Sequence, residues 1–483
     1  MTATVVHEID EGTPLLPTQP KKKTPLPWFQ FTIVLFLQLG EPLTSQVIYP
    51  FAPQLIRDLG ITGGDESKVG YYVGIMQSLF FFTQAFTVLH WSRLSDSIGR
   101  KPVILTGLLG LSMSMYCFGL STTFWGLVLS RALNGALNGN IGVIKSMMAE
   151  LTDSTNISQA YAYMPIAWST GGTLGPIIGG SLSHPVERFP SLFGHNDFLK
   201  RYPYFLPCAV PATYTLCAWL TTYIFLKETV KYPVPFKSLF FQSQEQKELE
   251  SPRKNSQTTL HDNDDHEKPL SLRNLMTFQV IIAGANYAFL ALVDIAFRAI
   301  QPLFFSTPVE LGGLGLPPST IGNILSTFGI LNGVFQVFFF ARIHDAWGSK
   351  KVFIVGIASG LPLFLSFPVI SYIVRTQGYC FTLWIAVGAQ ILLSILPSLS
   401  YGAIFIFIQA ASPNRASLGA TNGVCQVAVS VMRAIGPATA NSLFSLSIAN
   451  NYLGGYLVYY MLVVIVGAAL FVASILPSSR TRA

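Results

Sequence analysis

Ser92-Arg93-Leu94-Ser95-Asp96-Ser97-Ile98-Gly99-Arg100-Lys101 returns 249 residues further on as Ala341-Arg342-Ile343-His344-Asp345-Ala346-Trp347-Gly348-Ser349-Lys350. Both copies read R-[LI]-x-D-x-x-G followed by basic residues. The offset is about half the length of the 483-residue chain. A match of this quality at that offset marks an internal duplication. Parallel repeats are one architecture of secondary transporters, with the substrate site between the halves near the bilayer midplane.

What surrounds the two copies is apolar. Only 53 of the residues are charged, or 11%, where a soluble domain carries about 25%. Sixteen of those charges fall between Lys227 and Arg273. This composition excludes a cytosolic enzyme, a disordered chain and a secreted disulfide scaffold, and indicates a polytopic membrane protein in a lipid bilayer. The five cysteines sit in apolar runs without a CxxC pair, so no metal or thiol-redox centre is expected. No G-x-x-x-x-G-K-[ST] segment and no nucleophile–base constellation is present, so direct ATP coupling, enzymatic activity and a cofactor are not expected.

Twelve stretches are long enough to cross a bilayer, near 28–51, 70–91, 102–120, 123–148, 160–182, 203–226, 277–304, 319–341, 352–374, 379–410, 417–447 and 454–476. The fold class is therefore an all-α membrane protein with twelve transmembrane helices, arranged as two pseudo-symmetric six-helix bundles. The expected organisation is a disordered tail (1–27), a first bundle (28–226), a polar linker (227–275), a second bundle (276–476) and a short tail (477–483). With both termini in the cytoplasm, twenty Lys and Arg fall inside and six outside, as the positive-inside rule requires. The net charge of +7 thus reports orientation rather than nucleic acid binding.

Two further motifs lie within the spans: Leu127-x-x-x-Arg131-x-x-Asn134-Gly135 in the fourth, and Gly171-x-x-x-Gly175-Pro176-x-x-Gly179-Gly180 in the fifth. With the loop Ser92–Lys101, they carry a resemblance to the major facilitator superfamily over essentially the whole chain. The loop is similar to that family's G-x-L-A-D-R-x-G-R-K, with Ser92 for Gly and Ser97 for Arg. The fourth-span motif is similar to the family's own, and the fifth-span motif matches that of the drug:proton antiporter branch. Trp91…Gly99-Arg100-Lys101-Pro102 and Asn134-Gly135…Asn138-Gly139-Asn140 resemble the zinc-induced-facilitator-like transporters and their fungal relatives. The resemblance implies alternating access, proton antiport, a multidrug-resistance type of role and a functional monomer.

Asp96, Gly99, Arg100 and Lys101, with Asp345 and Gly348 in the other half, read as a gating loop. The Asp96 carboxylate can accept from the orphan N–H groups at a helix N-terminus and pair with nearby basic side chains. Gly171, Gly175, Gly179 and Gly180 let helices pack backbone to backbone, and Pro176 bends its helix.

Ionisable residues inside a bilayer are functional candidates. Glu41 lies 13 residues into the first span and Asp294 17 residues into the seventh. Their offset of 253 makes them approximate pseudo-symmetry mates, one per half, facing one cavity. Glu41 lies between Gly40 and Pro42, so its helix is expected to bend. Arg298 is one turn beyond Asp294 and can pair with it. A paired Asp294 is the poorer proton carrier, which leaves Glu41 as the titrating group and Asp294–Arg298 as a substrate or gating pair. Polar stripes run through Gln38 and Glu41 on the first span, through Arg131, Asn134 and Asn138 on the fourth, and through Asn422, Gln426 and Arg433 on the eleventh. Lipid does not tolerate such faces, so they point inward. Lys145 shares the fourth-span face with Arg131, Asn134 and Asn138; the alternative, near the end of that span, is that it snorkels. Trp168, Tyr287 and Tyr401 read mainly as packing.

Glu11-Gly12-Thr13-Pro14-Leu15-Leu16 fits the acidic dileucine pattern E-x-x-x-L-L, so Glu11, Leu15 and Leu16 could engage sorting adaptors. The expected function is a secondary transporter that exports or sequesters a small molecule against protons, in the plasma or the vacuolar membrane. The alternatives are a proton-independent facilitator or a proton symporter of the same fold, and a membrane sensor that has lost transport.

Overall fold

In a computed structural model, residues 24–153, 156–230, 272–413 and 418–477 are described. The first-span region is two helices, Trp28–Gln38 and Gly40–Gln46, followed by the short helix Ala52–Asp58. The second, third and fifth spans are Val69–Ile98, Arg100–Leu120 and Ile157–Leu182. The fourth is divided into Phe124–Leu137 and Asn140–Leu151. Three one-turn helices, Pro185–Arg188, Pro190–Phe193 and Asp197–Arg201, lead into the sixth span, Phe205–Phe225. In the second half the spans are Phe278–Ser306, Pro318–Phe338, Gly360–Gln377 with the helix Phe340–Ala358 before it, Phe381–Ala411, Leu418–Ala449 and Leu457–Ser474.

Seven of these elements are long and apolar enough to cross a membrane by themselves. The first and fourth spans fall short because they are broken. The second, fifth and eleventh show no such stretch among the described residues. These five carry most of the inward-facing polar side chains singled out above.

Both breaks follow from local chemistry. Pro42 has no N–H to donate to the Gln38 carbonyl, so the helix ends at Gln38. The Thr44 hydroxyl then donates to the carbonyls of Gly40 (2.8 Å) and Glu41 (2.9 Å). In the fourth span Asn138 leaves helical geometry at φ −84°, ψ 67°. Side chains of the second span take up the carbonyls there: Trp91 Nε1 donates to Ala136 (2.7 Å) and Gln84 Nε2 to Asn138 (3.4 Å).

The two bundles meet along two helix pairs, the fifth span with the eighth and the second with the eleventh. Both contacts lie on the face away from the termini. On the terminal face the second segment of the fourth span packs on the first, second and third spans of its own bundle. The tenth span likewise packs within its own bundle. The cleft between the bundles therefore opens toward the termini.

Candidate functional site in the central cleft

The helix break places Glu41 on the cleft wall. Around its carboxyl stand Asn138 and Gln84, with the charges of Lys145 and Arg433 within electrostatic reach. The Asn138 side chain is 1% exposed, and neither its Oδ1 nor its Nδ2 closes a hydrogen bond. Glu41 makes no ion pair among the described residues. The break at Asn138–Gly139 precedes the segment that carries Lys145, whose ammonium group is within electrostatic reach of Glu41 and Arg433. Its side chain keeps accessible surface there, as expected of a group lining an open cavity.

In the second bundle Arg298 Nε donates to both Asp294 oxygens, at 2.9 and 3.0 Å. The Tyr401 hydroxyl donates to Asp294 Oδ2 at 3.1 Å. The Arg298 guanidinium lies 5.3 Å from the centre of the Phe328 ring. Arg433 lies against Tyr401 and near Tyr287, and the Tyr287 hydroxyl reaches Gln426 Oε1 at 3.5 Å. Arg433 thus connects the two acids: it is near Glu41 on one side and within reach of Asp294 on the other. Both tyrosines belong to this cluster and are not merely packing. Asn422, by contrast, is exposed one turn before Gln426.

Deeper on the closed side, a small cavity lies between the bundles. Gln46, Tyr49, Asp294, Arg298, Gln301 and Ser394 are among its lining residues. Arg131 is 5% exposed, its guanidinium 4.8 Å from the Phe80 ring centre. Its Nε is unpartnered, and it makes no ion pair among the described residues. Gln38 (8% exposed) and Asn134 (2%) are also buried, each with an unpartnered side-chain oxygen. The Trp168 side chain is 41% exposed.

The fifth-span glycines face two neighbours. A Cβ on Gly171 would lie 2.6 Å from Pro42 Cβ, and one on Gly175 2.8 Å from Gln46 Cβ. A Cβ on Gly179 would strike the Val47 carbonyl. The motif therefore seats the fifth span against the broken first helix that carries Glu41. Gly180 faces the other bundle, against Pro318 and Gly322, and Gly322 in turn abuts the Pro176 carbonyl. The second and eleventh spans repeat this contact. Gly74 approaches the Pro437 carbonyl, and the Ala438 N–H donates to Ser78 Oγ at 2.8 Å. Gly436-Pro437 is the counterpart of Gly175-Pro176. It is visible in the sequence, but only once the first pair is known to lie at an interface.

The sequence matches the Major Facilitator Superfamily over residues 34–293. The chain belongs to the major facilitator superfamily. It is 29% identical over 476 residues to the major facilitator-type transporter psiT2 of Psilocybe cyanescens, covering 92% of this chain and 89% of that protein. It is 28% identical over 460 residues to the protein zinc induced facilitator 1 of Arabidopsis thaliana (94% and 93%). It is 27% identical over 489 residues to the efflux pump azaK of Aspergillus niger (98% and 96%). Among solved structures, a D-xylose-proton symporter superposes with TM-score 0.66 at 13% identity, over 94% of this chain and 98% of that one. A bacterial homologue of the lysosomal transporter Spinster, inward-facing and unoccupied, superposes at 0.64 and 14% identity (92% and 96%). These likenesses show the fold. As a member of the superfamily the chain is a multi-pass membrane transporter, not an enzyme.

The superfamily loop motif has an anchor here that the sequence reading did not name. Gly99 turns the chain at φ +107°, a conformation that favours glycine. The first N–H groups of the third span then point at Glu228, just beyond the sixth span. Its carboxylate accepts from the backbone N–H of Arg100 (2.8 Å) and of Lys101 (3.0 Å). Glu228 thus serves the first N–H groups of this helix; the side chain of Asp96 lies outside the described residues. Arg100 Nη2 bridges to Glu150 Oε1 at 2.8 Å and its Nη1 reaches Ser95 Oγ at 2.6 Å. In the second half Gly348 turns likewise (φ +76°), but Asp345 is 83% exposed and meets only His344 among the described residues. There, Lys350 Nζ donates to the carbonyls of Ser474 (2.9 Å) and Leu476 (2.5 Å) at the end of the twelfth span. Both halves thus tie the loop to the exit of their last helix, with acid and base exchanged. The tail with Glu11, Leu15 and Leu16, and residues 231–271 of the linker, lie outside the described residues.

Proposed function

We propose that the protein is a proton-coupled antiporter that moves a small molecule out of the cytoplasm, by export or by vacuolar sequestration. In this reading both termini are cytoplasmic and the cleft faces the cytoplasm. Glu41 carries the proton. The observation that supports it is the contrast between the two acids: Asp294 is held by Arg298 and Tyr401, whereas Glu41 has no contact cation. A carboxyl on a cavity wall without a fixed partner is free to exchange a proton for a substrate group. Arg433 links Glu41 to the Asp294–Arg298 pair, so a change at Glu41 is felt by side chains that meet the other bundle. The relatives named efflux pump (azaK) and multidrug transporter (mfsB of Aspergillus fumigatus) support the outward direction.

The test is proton flux in proteoliposomes carrying an interior pH dye. Under an imposed gradient, substrate addition moves protons in the wild type, and Glu41→Gln abolishes that movement while leaving substrate binding measurable. Substrate flux without proton movement, equal in both proteins, would remove antiport and leave a facilitator.

A further inference from the structure

Corresponding positions of the two halves meet at the small cavity between the bundles. Gln46 and Tyr49 come from the first-span region. Arg298 and Gln301 come from the seventh span, each 252 residues further on, close to the 249 of the loop repeat. All four line one space of about 30 Å³, which therefore lies where the axis relating the halves passes. Its polar groups have capacity to spare. Arg298 commits its Nε to Asp294, at 2.9 and 3.0 Å, and its two terminal nitrogens close no hydrogen bond among the described residues. The same is true of the Tyr49 hydroxyl and the Gln301 amide, although Tyr49 is only 8% exposed and Gln301 4%. Polar groups so enclosed are ordinarily partnered. The charges, by contrast, are settled. Arg298 is balanced by Asp294, which also accepts from the Tyr401 hydroxyl at 3.1 Å, and no other charged side chain is among the lining residues. Phe297 and Phe328 add apolar walls.

We propose that this cavity seats the polar head of the substrate, and that the head is uncharged and carries an oxygen acceptor, as an amide, a ketone or an alcohol does. The free hydrogen-bonding capacity is rich in donors: the terminal nitrogens of Arg298, the Tyr49 phenol and the amides of Gln46 and Gln301. One oxygen atom can take donors from both bundles at once, and the amide oxygens accept any N–H or O–H that the head brings. A charged head fits poorly. The one ion pair is already balanced, and a further enclosed charge would stand without a counter-ion. The space suits a water-sized group, so it takes the head alone, with the apolar body of the molecule against Phe297 and Phe328. This deepens the antiport reading and rests on it. Gln46 closes the short helix Gly40–Gln46 that carries Glu41 near its start, so head and proton act on one rigid piece. Exchange of an uncharged molecule for a proton also moves net charge, so the cycle responds to membrane potential as well as to the pH gradient.

The test uses four probes on one ring and chain: 3-phenylpropanamide and 3-phenylpropanol, which are uncharged, the anion 3-phenylpropionate and the cation 3-phenylpropylamine. Binding to the full-length protein in nanodiscs is read by calorimetry, with protein-free nanodiscs subtracted. The two uncharged probes are expected to bind at least tenfold tighter than either ion. Tyr49→Phe, which removes one hydroxyl, and Gln301→Leu each lower amide binding at least threefold. Gln301→Glu adds a carboxylate to the cavity and reverses the preference, so that the amine binds tighter than the amide; a merely structural role for Gln301 would not produce that reversal. The proposal is overturned if either ion binds as tightly to the wild type as the uncharged probes do, if neither uncharged probe binds, if Tyr49→Phe and Gln301→Leu both match the wild type, or if Gln301→Glu leaves the preference unchanged. Transport in proteoliposomes separates this outcome from the antiport reading. Amide flux that moves protons and quickens under an imposed membrane potential supports both. Amide flux without proton movement keeps the uncharged head and removes antiport. Proton exchange with the amine alone keeps antiport and removes the uncharged head.

Discussion

Arg57 of the first bundle donates to Ser306 of the second through both ends of its guanidinium: Nη1 to the hydroxyl oxygen at 2.5 Å and Nη2 to the carbonyl at 2.9 Å. Its Nε is held by Glu66 at 2.9 and 3.1 Å, so the guanidinium is fixed before it crosses between halves. This contact lies on the closed face, at the top of the seventh span.

Removing it weakens closure. A hydrogen bond to a charged group contributes about 1.5–3 kcal/mol net, and 1.4 kcal/mol is a tenfold change in an equilibrium. Arg57→Ala is expected to raise the population open on that face about tenfold or more. Cysteine labelling at a position buried under the latch, compared between wild type and variant, reads this directly. Equal labelling rates would show that the latch carries no conformational free energy.

The Glu228 cap makes a second prediction. Glu228→Gln removes the charge that serves the first N–H groups of the third span, and Glu228→Ala leaves both without that acceptor. Loss of a cap costs about 0.5–2 kcal/mol. The alanine variant should therefore melt lower than the glutamine variant, with both below the wild type. Asp345→Asn, on an exposed side chain, should leave the melting temperature unchanged. A reversed order would return the anchoring role to the loop aspartates.

The fifth-span glycines make a third. Gly179→Val places side-chain atoms against the Val47 carbonyl, which is backbone and cannot turn aside. The first span is displaced, and with it Glu41, so transport is lost. Gly172→Ala, where nothing lies within 4 Å, is its control on the same helix and should transport as the wild type does. Full transport by Gly179→Val would show that the seat of the first span is not needed.

On the closed face, Asp58 Oδ2 accepts from His184 Nε2 (2.9 Å) and from the Tyr204 hydroxyl, tying together the ends of the first, fifth and sixth spans. Burial alone would raise the carboxyl of Asp58, but hydrogen bonds from His184, Tyr204 and Gln54 outweigh it and hold it below its usual range. The hydrogen bond to Asp58 raises His184. The raised histidine contributes stability that is complete below its unfolded value, about 6.5, and is lost as pH rises through its folded value. The lowered aspartate contributes above its unfolded value, about 3.9, and fails as pH falls through its folded one. The tie is therefore strongest from about pH 4 to about pH 6.5 and weakens toward alkaline pH. Melting curves from pH 5.5 to 8.5 should show this loss in the wild type and a flatter profile in His184→Gln. Parallel profiles would separate this cluster from the pH response.

The loop duplication pointed to two related halves, and the 253-residue offset of Glu41 and Asp294 assigned one acid to each. The Asp294–Arg298 pair was legible because an i, i+4 relation is local. The fourth-span stripe through Lys145 was legible by spacing, but the helix break before it, where the second-span side chains Trp91 and Gln84 take up the carbonyls, was not. Tyr401 and Tyr287 were hidden by abundance: among so many aromatics, periodicity does not single out the two that meet Asp294 and Gln426. The Glu228 cap and the Arg57–Ser306 latch join residues more than a hundred positions apart, and neither leaves a pattern in either segment alone.

The break of the first helix at Pro42 also bears on how the chain enters its membrane. Translocation machinery inserts a segment cheaply only when it is long and apolar, and a charged residue at the centre costs about 2.5–3.5 kcal/mol. The first and fourth spans are broken into shorter helices, whereas the third span, Arg100–Leu120, is long and apolar enough. The broken first helix, with Glu41 at its middle, is poorly suited to enter alone. Its residence in the bilayer relies on later helices, chiefly the glycine face of the fifth. The groove that accommodates the proposed proton carrier is also what recruits its helix during biogenesis.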